Sequence, residues 1–366
     1  MRVLMISKAC VVGAYQRKLE EIAQDPAVEL SVMVPPFWDD RHRRIDLEEI
    51  YTEGYDLIVD PLALNGNFHL YYFPTLRQRI QEIQPDILHI DEEPYNFATY
   101  HALRVARWSG TKALFFTWQN ILRHYPPPFS QMERWVLHHA DYALAGTHDA
   151  ARIWRDKGYG GPMRVIPQFG VDPDLFSPDG ASAATDRSFV IGYAGRLVPE
   201  KGLDVLIQAV GMLPGKWHLK LAGGGPQHDE LQQMVGLLNI GGSVSFVGPI
   251  PSTEMPDFFR SLDVFVLPSL TRPNWKEQFG RVLIEAMACG VPVIASDSGA
   301  IPEVLDDSGL VFPEGNVQLL RDALIVLMQN EAFRLHLAKL GRERVLKFFT
   351  QEQVAQQTVH AYHEML

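Results

Sequence analysis

What most constrains this chain is one pattern that occurs twice: short apolar runs, too short to be buried helices, alternating with longer stretches of helical spacing. In the first half the runs are VLMI at 3–6, VELSVMV at 28–34, DILHI at 86–90, ALFFT at 113–117 and YALAG at 142–146. Between them, 14–24, 96–109, 130–140 and 148–157 repeat apolar residues at the spacing of a helix face. Strands that alternate with helices are joined by crossovers, so they form a parallel sheet covered by helices on both faces. Ser130, with Glu133 three positions on, has the form of a capping box for the third helix, and Thr147 suits the N-cap of the fourth.

The pattern stops after VIP at 165–167. The segment VDPDLFSPDGASAATDRS, 171–188, is rich in Pro, Asp, Gly and Ser and has no periodicity, which is the composition of a linker. The alternation then restarts with FVIGYAG at 189–195, WHLKLAG at 217–223, VSFVG at 244–248, DVFVLP at 263–268, VPVIAS at 291–296 and GLVF at 309–312. A chain of 366 residues accommodates two domains at about 150 residues each. The expected division is a Rossmann-like domain over 1–170, a linker over 171–188, a second Rossmann-like domain over 189–345, and a closing helix over 346–366 that can pack back on the first domain. From 316 to 364 the sequence reads as helix only, without loop chemistry, and is taken as scaffold.

Composition excludes several classes. With 46% hydrophobic and 21% charged residues the chain is an ordinary globular one. Its net charge of −11 argues against a nucleic-acid partner, which calls for a basic face. Arg41, His42, Arg43 and Arg44 form one local basic run, read either as a solvated loop or as a patch that steers an anionic or membrane-bound acceptor. Cys10 and Cys289 stand at no metal-ligand spacing and imply neither a disulfide framework nor a zinc site. The opening MRVLMIS is cut short by Lys8, unlike a signal peptide, and nothing sustains the ~18 apolar residues of a membrane span. The expected location is the cytoplasm, including the inner face of a membrane.

Three segments of the second half carry chemistry. GYAGRLVPEKGLDVLIQA, 192–209, sets a strand, a turn with Gly195, Arg196 and Lys201, and a helix beginning near Leu203; such a junction points backbone N–H groups and two cations at an anion above the sheet. It reads as a phosphate site or as a tight turn with two surface cations. AGGGP, 222–226, with Gly224 at its centre, permits positive φ and close backbone approach, in a ligand loop or in a plain turn. KEQFGRVLIEAMACGVPVIAS, 276–296, is the most specific. Glu285 sits inside an apolar helix, where a carboxylate is costly to bury without a partner, and a sugar hydroxyl pair supplies one. Gly280 turns the backbone at the helix start, so amides at Phe279, Gly280, Arg281 and Val282 can meet a diphosphate while Glu277 reaches an adjacent hexose.

These residues resemble the retaining glycosyltransferases of family 4. Glu277 and Glu285, followed by AMACGVPVIAS, are similar to that family's E-x7-E motif; GYAGRLVPEKG resembles its diphosphate-binding turn and VIPQFGVDPDLFSP its interdomain hinge. The resemblance covers nearly the whole chain and is most specific from Phe189 to Val304. It implies the α/β GT-B architecture, two doubly wound Rossmann-like domains facing each other across a cleft, the first holding the acceptor and the second a nucleotide-sugar.

Carried over by position, the resemblance makes Arg196 and Lys201 neutralise the donor diphosphate, Glu277 hold hydroxyls of the transferred sugar, and Glu285 bind the ribose. The amides of Phe279 and Gly280 position the sugar, Gly13 lies in the glycine loop that closes over the phosphates, and Val247 and Gly248 stand where backbone reads the nucleobase. Preorganised cations and amides stabilise a diphosphate leaving group without a metal, so no cofactor is expected. The adjacent Asp306 and Asp307 follow a helix and read as a loop rather than a metal motif. The resemblance also implies front-face attack with retention, a donor phosphate oxygen taking the acceptor's proton. One departure stands out. Where the family often carries T-x-H after the strand written here ALFFT, this chain has TWQ, so Gln119 replaces the histidine and cannot carry its positive charge.

Other residues keep two readings. His89, inside DILHI, is a core histidine or a functional one; Asp91, Glu92 and Glu93 face an acceptor or make a solvated turn; His148 is unassigned. The aromatics of PPFWDDRHRR and LNGNFHLYYFP line a sugar or lipid site or belong to the core. Donor base (UDP or GDP), acceptor and oligomeric state are not encoded by the motifs. Rival activities on the same architecture are a nucleotide-sugar epimerase, which needs further acid and base groups, and a catalytically silent binding subunit, which would be expected to lose Arg196, Lys201 or one glutamate.

Overall fold

The computed structural model describes residues 1–40, 43–179 and 188–366. The chain divides into two compact units, one made of Met1–Gly170 together with Gln351–Leu366, the other of Val171–Thr350.

The first unit contains β1 (Arg2–Ile6), β2 (Glu29–Val34), β3 (Phe37–Asp40), β4 (Arg43–Asp46), β5 (Asp56–Val59), β6 (Ile87–Ile90), β7 (Lys112–Thr117), β8 (Tyr142–Ala145) and β9 (Met163–Val165). Its helices are α1 (Arg17–Ala23), α2 (Leu76–Ile83), α3 (Phe97–Ser109), α4 (Phe129–His139) and α5 (His148–Asp156). Seven strands pair in parallel in the order β5-β2-β1-β6-β7-β8-β9, so the direction of winding reverses between β1 and β6. The pleat of β1 shows why both faces must be covered. Val3 and Met5 enter a core that also takes Leu19 and Ile22 of α1, while Leu4 and Ile6 enter an opposite core with Leu76 of α2 and Leu103 of α3. Each such side chain contributes about 1.5–3 kcal/mol on full burial.

The second unit contains β10 (Phe189–Ala194), β11 (Trp217–Ala222), β12 (Val244–Gly248), β13 (Val264–Leu267), β14 (Val293–Ser296) and β15 (Leu310–Phe312). Its helices are α6 (Leu203–Val210), α7 (His228–Leu237), α8 (Met255–Arg260), α9 (Arg281–Ala288), α10 (Ile301–Leu305), α11 (Val317–Gln329) and α12 (Glu331–Phe348). The sheet is again parallel, in the order β12-β11-β10-β13-β14-β15, and reverses between β10 and β13.

The last helix, α13 (Gln351–Met365), belongs to the first unit, where Val354, Ala355, Val359, Tyr362 and Met365 join the core that holds α1. The Gln351 side chain accepts from the Gly170 amide and donates to the Gly170 carbonyl, tying the two ends of that unit together.

The structure differs from the sequence reading in four places. Of the segment expected as a linker, 171–179 is built into the second unit: Val171 bridges Thr350, Phe176 is buried 6.3 Å from the Phe259 ring, and Arg260 donates to the Ser177 carbonyl. Residues 180–187 lie outside those described. The return to the first unit falls after Thr350, not at 346, because α12 runs to Phe348. Ser130 does not cap α4; that helix starts at Phe129 behind Pro128, and Glu133, instead of reaching back, forms a buried ion pair with Lys157. The strands β3, β4, β5 and β9 lie in stretches without clean alternation. Thr147 does cap α5, accepting from the Ala150 amide at 3.2 Å.

Cys10 and Cys289 are both buried, and burial pushes each thiol up to about 12. Since the thiolate is the nucleophile, neither should react with iodoacetamide in the folded protein at neutral pH, and both should react once it is denatured. Mass-spectrometric counting of adducts checks this; labelling of the native protein would show that these cores open.

Candidate active site

In an open parallel sheet, ligands bind beyond the carboxyl ends of the strands where the order reverses. In the second unit the loops after β10 and β13 flank that point, and they carry Arg196, Lys201, Ser269 and Glu277. The loop after β10 forms a short turn, Pro199–Lys201, before α6 begins at Leu203. Lys201 Nζ donates to Glu277 Oε2 at 2.6 Å, and the same oxygen accepts from the Ser269 hydroxyl at 2.8 Å. The Trp275 ring lies 4.9 Å from Lys201 Nζ. Two residues given separate roles by sequence are thus one ion pair, largely withdrawn from solvent. Ser269 was missed; a lone serine after an apolar run carries no pattern of its own. Arg196 is different. Its side chain is 70% exposed and stands 3.7 Å from Glu200, a loose contact that leaves the guanidinium turned outward.

The glycine turns lace the ends of β10, β11 and β12 together. The Gly195 amide donates to the Ala222 carbonyl, Leu197 to Gly224, and Gly223 to Gly248. A Cβ on Gly223 would sit 1.9 Å from the Gly195 carbonyl oxygen, so only hydrogen fits where the two turns cross. Gly224 has a different surrounding: a Cβ there would meet Pro249 at 3.8 Å, an ordinary contact, and the residue is exposed. The run AGGGP therefore serves turn packing at Gly223 and leaves Gly224 at the surface. Val247, half exposed at the end of edge strand β12, lies beside Gly248.

Helix α9 starts at Arg281 behind Gly280, whose φ of +76° suits glycine. A helix start leaves its first four N–H groups without acceptors inside the helix, the feature that lets such a turn hold an anion. Phe279 turns its ring inward, edge-on to Phe349 at 5.7 Å, so its contribution to a ligand is limited to the main chain. Glu285 is buried, and its carboxylate accepts from Arg281 Nε at 2.9 Å. Burial raises its pKa and Arg281 opposes the rise. Part of the partner that the buried carboxylate demands is therefore one turn away on its own helix, which corrects the inference that burial alone points to sugar hydroxyls.

The remaining two residues named from sequence, Gly13 and Gln119, belong to the first unit. The Gly13 amide donates to Glu48 Oε2 at 2.8 Å, so a role for that amide at a phosphate is met by a competing acceptor already in place. Gln119 is buried; its carboxamide nitrogen donates to the Ile121 carbonyl at 2.8 Å, and its Oε1 has no hydrogen-bond partner among the described residues.

The carboxylates after β6 are not a solvated turn. Asp91 accepts from Ser7 Oγ at 2.7 Å and from Gln168 at 2.9 Å, with Lys18 at 3.9 Å. Glu92 pairs with Lys8 at 2.5 Å, and Lys8 Nζ lies 5.0–5.7 Å from the Trp38, Phe68 and Tyr71 rings. Both lysines follow β1, the neighbour of β6 at the reversal point, and strand adjacency is the signal the sequence lacked. His89 is a core residue: Nδ1 meets the Tyr362 hydroxyl at 2.7 Å and burial brings its pKa down to about 3. His148 opens α5. Of the basic run, Arg41 and His42 lie outside the described residues, while Arg44 pairs with Asp46 at 2.6 Å on the β3–β4 hairpin. Asp306 ends α10 and meets Arg344 at 3.0 Å. Among the described residues there is no group of three or more His, Cys, Asp or Glu placed to hold a metal, and no helix is long and apolar enough to cross a membrane.

Residues 179–344 match the family model described as glycosyl transferases group 1, and residues 28–175 match that of glycosyltransferase family 4. The chain belongs to the family 4 GT-B glycosyltransferases. It is similar to a phosphatidyl-myo-inositol mannosyltransferase of Mycobacterium leprae, 29% identical over 92% of this chain and 88% of that one. A GDP-mannose-dependent alpha-(1-6)-phosphatidylinositol monomannoside mannosyltransferase of Mycolicibacterium smegmatis is 35% identical over 51% of this chain and 53% of its own length. Among solved structures, HepE of Anabaena in complex with UDP superposes with a TM-score of 0.75 at 20% identity, each chain covered in full, which is a likeness of fold. The protein is thus a glycosyltransferase of α/β fold, with one Rossmann-like sheet in each unit.

Proposed function

We propose that this glycosyltransferase moves a hexose from a UDP- or GDP-linked donor to a saccharide, lipid-linked or small-molecule acceptor, with retention of anomeric configuration and without a metal. The observation that carries the reading is the meeting of Lys201, Glu277 and Ser269 at the reversal point of the second sheet, 76 residues of sequence separating the ion pair. An ammonium group held beside a carboxylate there can do two jobs at once. Lys201, with Arg196, offsets the charge that grows on a departing diphosphate, and Glu277 accepts from sugar hydroxyls. The helix start at Phe279–Val282 offers amides to the same anion, and Glu285 is left to the ribose hydroxyls. Gly248 and Val247, at a sheet edge, suit a base read by main chain. The relatives support a nucleotide-sugar donor and leave lipid-linked acceptors in view, since one is GDP-mannose-dependent and two are named for phosphatidylinositols; for such an acceptor the protein would work at the inner face of a membrane.

The test is calorimetry of UDP, GDP and ADP and their hexose conjugates with EDTA present, followed by NMR of the anomeric proton of any product. Tight binding of one nucleoside diphosphate, and transfer that keeps the donor's anomeric configuration in EDTA, is the expected result. Binding without turnover for every donor and acceptor would favour a silent subunit, and transfer only after added metal would remove the metal-free reading.

A further inference from the structure

We propose that Glu93 is a positioning residue for sugar transfer: its ionised carboxylate holds the turn Thr117–Trp118–Gln119 after β7 and thereby sets the orientation of the Gln119 carboxamide. The assignment to transfer rests on the function proposed above, whereas the network itself stands on the first unit alone.

The case is one of counting protons. Thr117 Oγ1 accepts from the Trp154 indole N–H at 2.7 Å and from the Gln119 amide at 3.1 Å, which occupies both of its lone pairs. Its own single proton therefore goes to Glu93 Oε2, 2.6 Å away. Glu93 Oε1 meanwhile accepts from the Trp118 amide at 2.8 Å. Both carboxylate oxygens act as acceptors, and neither neighbour has a lone pair left to receive a proton. Protonation of Glu93 weakens both bonds, since each then runs to a neutral acid instead of a carboxylate, and a proton turned toward either donor would break that bond outright. The next link is Gln119: its amide is held by Thr117, its side-chain nitrogen by the Ile121 carbonyl, and its Oε1 is buried without a partner among the described residues. A buried acceptor left unmade costs about 1–3 kcal/mol, and a sugar hydroxyl would satisfy it.

The groups that face Glu93 come from every neighbouring element: Thr117 and Trp118 from β7, Lys8 from the loop after β1, Glu92 and Tyr95 from its own loop, Tyr125 ahead of α4, and Lys157 after α5. Burial is the dominant influence and raises the carboxyl to about 7, against the hydrogen bonds from Thr117 and Trp118 and the charge of Lys8. The sign follows: above that pH the carboxylate is ionised and the turn is held, and as pH falls through it the proton arrives and the turn loosens.

Glu93→Gln removes the charge, as protonation does, and goes further, because an amide cannot accept at both ends. Expected are a loss of kcat of about ten- to a hundredfold, the scale of a misaligned reacting group, unchanged calorimetric affinity for the nucleoside diphosphate, and disappearance of the acid limb of the kcat profile. In a Gln119→Ala background the same substitution should have no further effect on kcat; additive losses would overturn the coupling. A readout independent of turnover is NMR of the Trp154 indole N–H and the Trp118 amide across the pH range. Their shifts should move together with a midpoint near 7 in the unaltered protein and stay flat in Glu93→Gln. Resonances that ignore pH in the unaltered protein would overturn the proposal whether or not sugar is transferred, while a titrating network in a protein that turns over no donor would refute the assignment to transfer.

Discussion

Lys201→Met is expected to lower kcat by about a hundred- to a thousandfold, the scale seen when one preorganised charge-stabilising donor is removed from a transition state. The ammonium group is held in place before any ligand arrives, by Glu277 Oε2 at 2.6 Å and beneath the Trp275 ring. That geometry also predicts a cost to folding. Glu277 is 8% exposed and would lose its ammonium partner while keeping the Ser269 hydroxyl. Breaking a deeply buried pair costs about 3–5 kcal/mol, and the partial exposure of Lys201 reduces this to about 1–2 kcal/mol. The double variant Lys201→Met with Glu277→Gln should recover most of that stability, since the buried carboxylate is neutralised together with the lysine that faced it, and should recover no turnover. Chemical denaturation and initial rates on the same samples separate the two effects. Full turnover in Lys201→Met would sink the assignment of this cation to the leaving group. Arg196→Ala, by contrast, should leave stability unchanged, because its guanidinium is already turned to solvent.

The fold was legible because parallel strands buried on both faces write themselves as short apolar runs, and every run that was read as a strand is one. What escaped were strands at edges and in excursions. β5 and β9 flank the first sheet and β3–β4 lies outside it, so one face or edge meets solvent and the apolar run breaks up. The candidacy of Lys201, Glu277 and Glu285 in the second unit was legible because local motifs place chemistry on strand ends and helix starts. The pairing of Lys201 with Glu277 was not, since it depends on β10 and β13 lying side by side across a long connection. The same reason hid Lys8 against Glu92 and Lys18 against Asp91: Lys8, in the loop after β1, and Lys18, in α1, both meet the loop after β6, and no local spacing reports strand order. Gly13 is the converse case. The resemblance implied a phosphate loop there, and its amide meets a remote carboxylate, Glu48, which no local spacing reports.

Glu285 separates binding from stability in a way that two substitutions can read. If its carboxylate accepts from ribose hydroxyls, Glu285→Ala loses hydrogen bonds to a charged group, about 1.5–3 kcal/mol, or roughly ten- to a hundredfold in donor affinity. Stability should move the other way. Burial raises the carboxyl above its ordinary 4.5, with Arg281 only partly opposing, so the folded state holds its proton more tightly than the unfolded chain does. For an acid shifted in that direction, ionisation costs stability: the penalty is absent below the unfolded value of 4.5, grows as pH rises from there to the folded pKa, and is fully present above it. Glu285→Gln keeps the shape and removes the charge. It should therefore be no less stable than the unaltered protein at neutral pH, and its stability should lack the dependence on pH that Glu285 imposes as pH rises above 4.5. Its donor affinity should still fall, because an amide offers one acceptor where a carboxylate offers two, and Arg281 loses its charged partner at 2.9 Å. Urea melts at several pH values and calorimetry with the cognate nucleoside diphosphate and nucleoside monophosphate measure both. Undiminished affinity in both variants would take Glu285 out of the donor site and leave it as half of a helical ion pair. A large loss of stability in Glu285→Gln would mean that the Arg281 contact outweighs the burial it is here held to offset only in part.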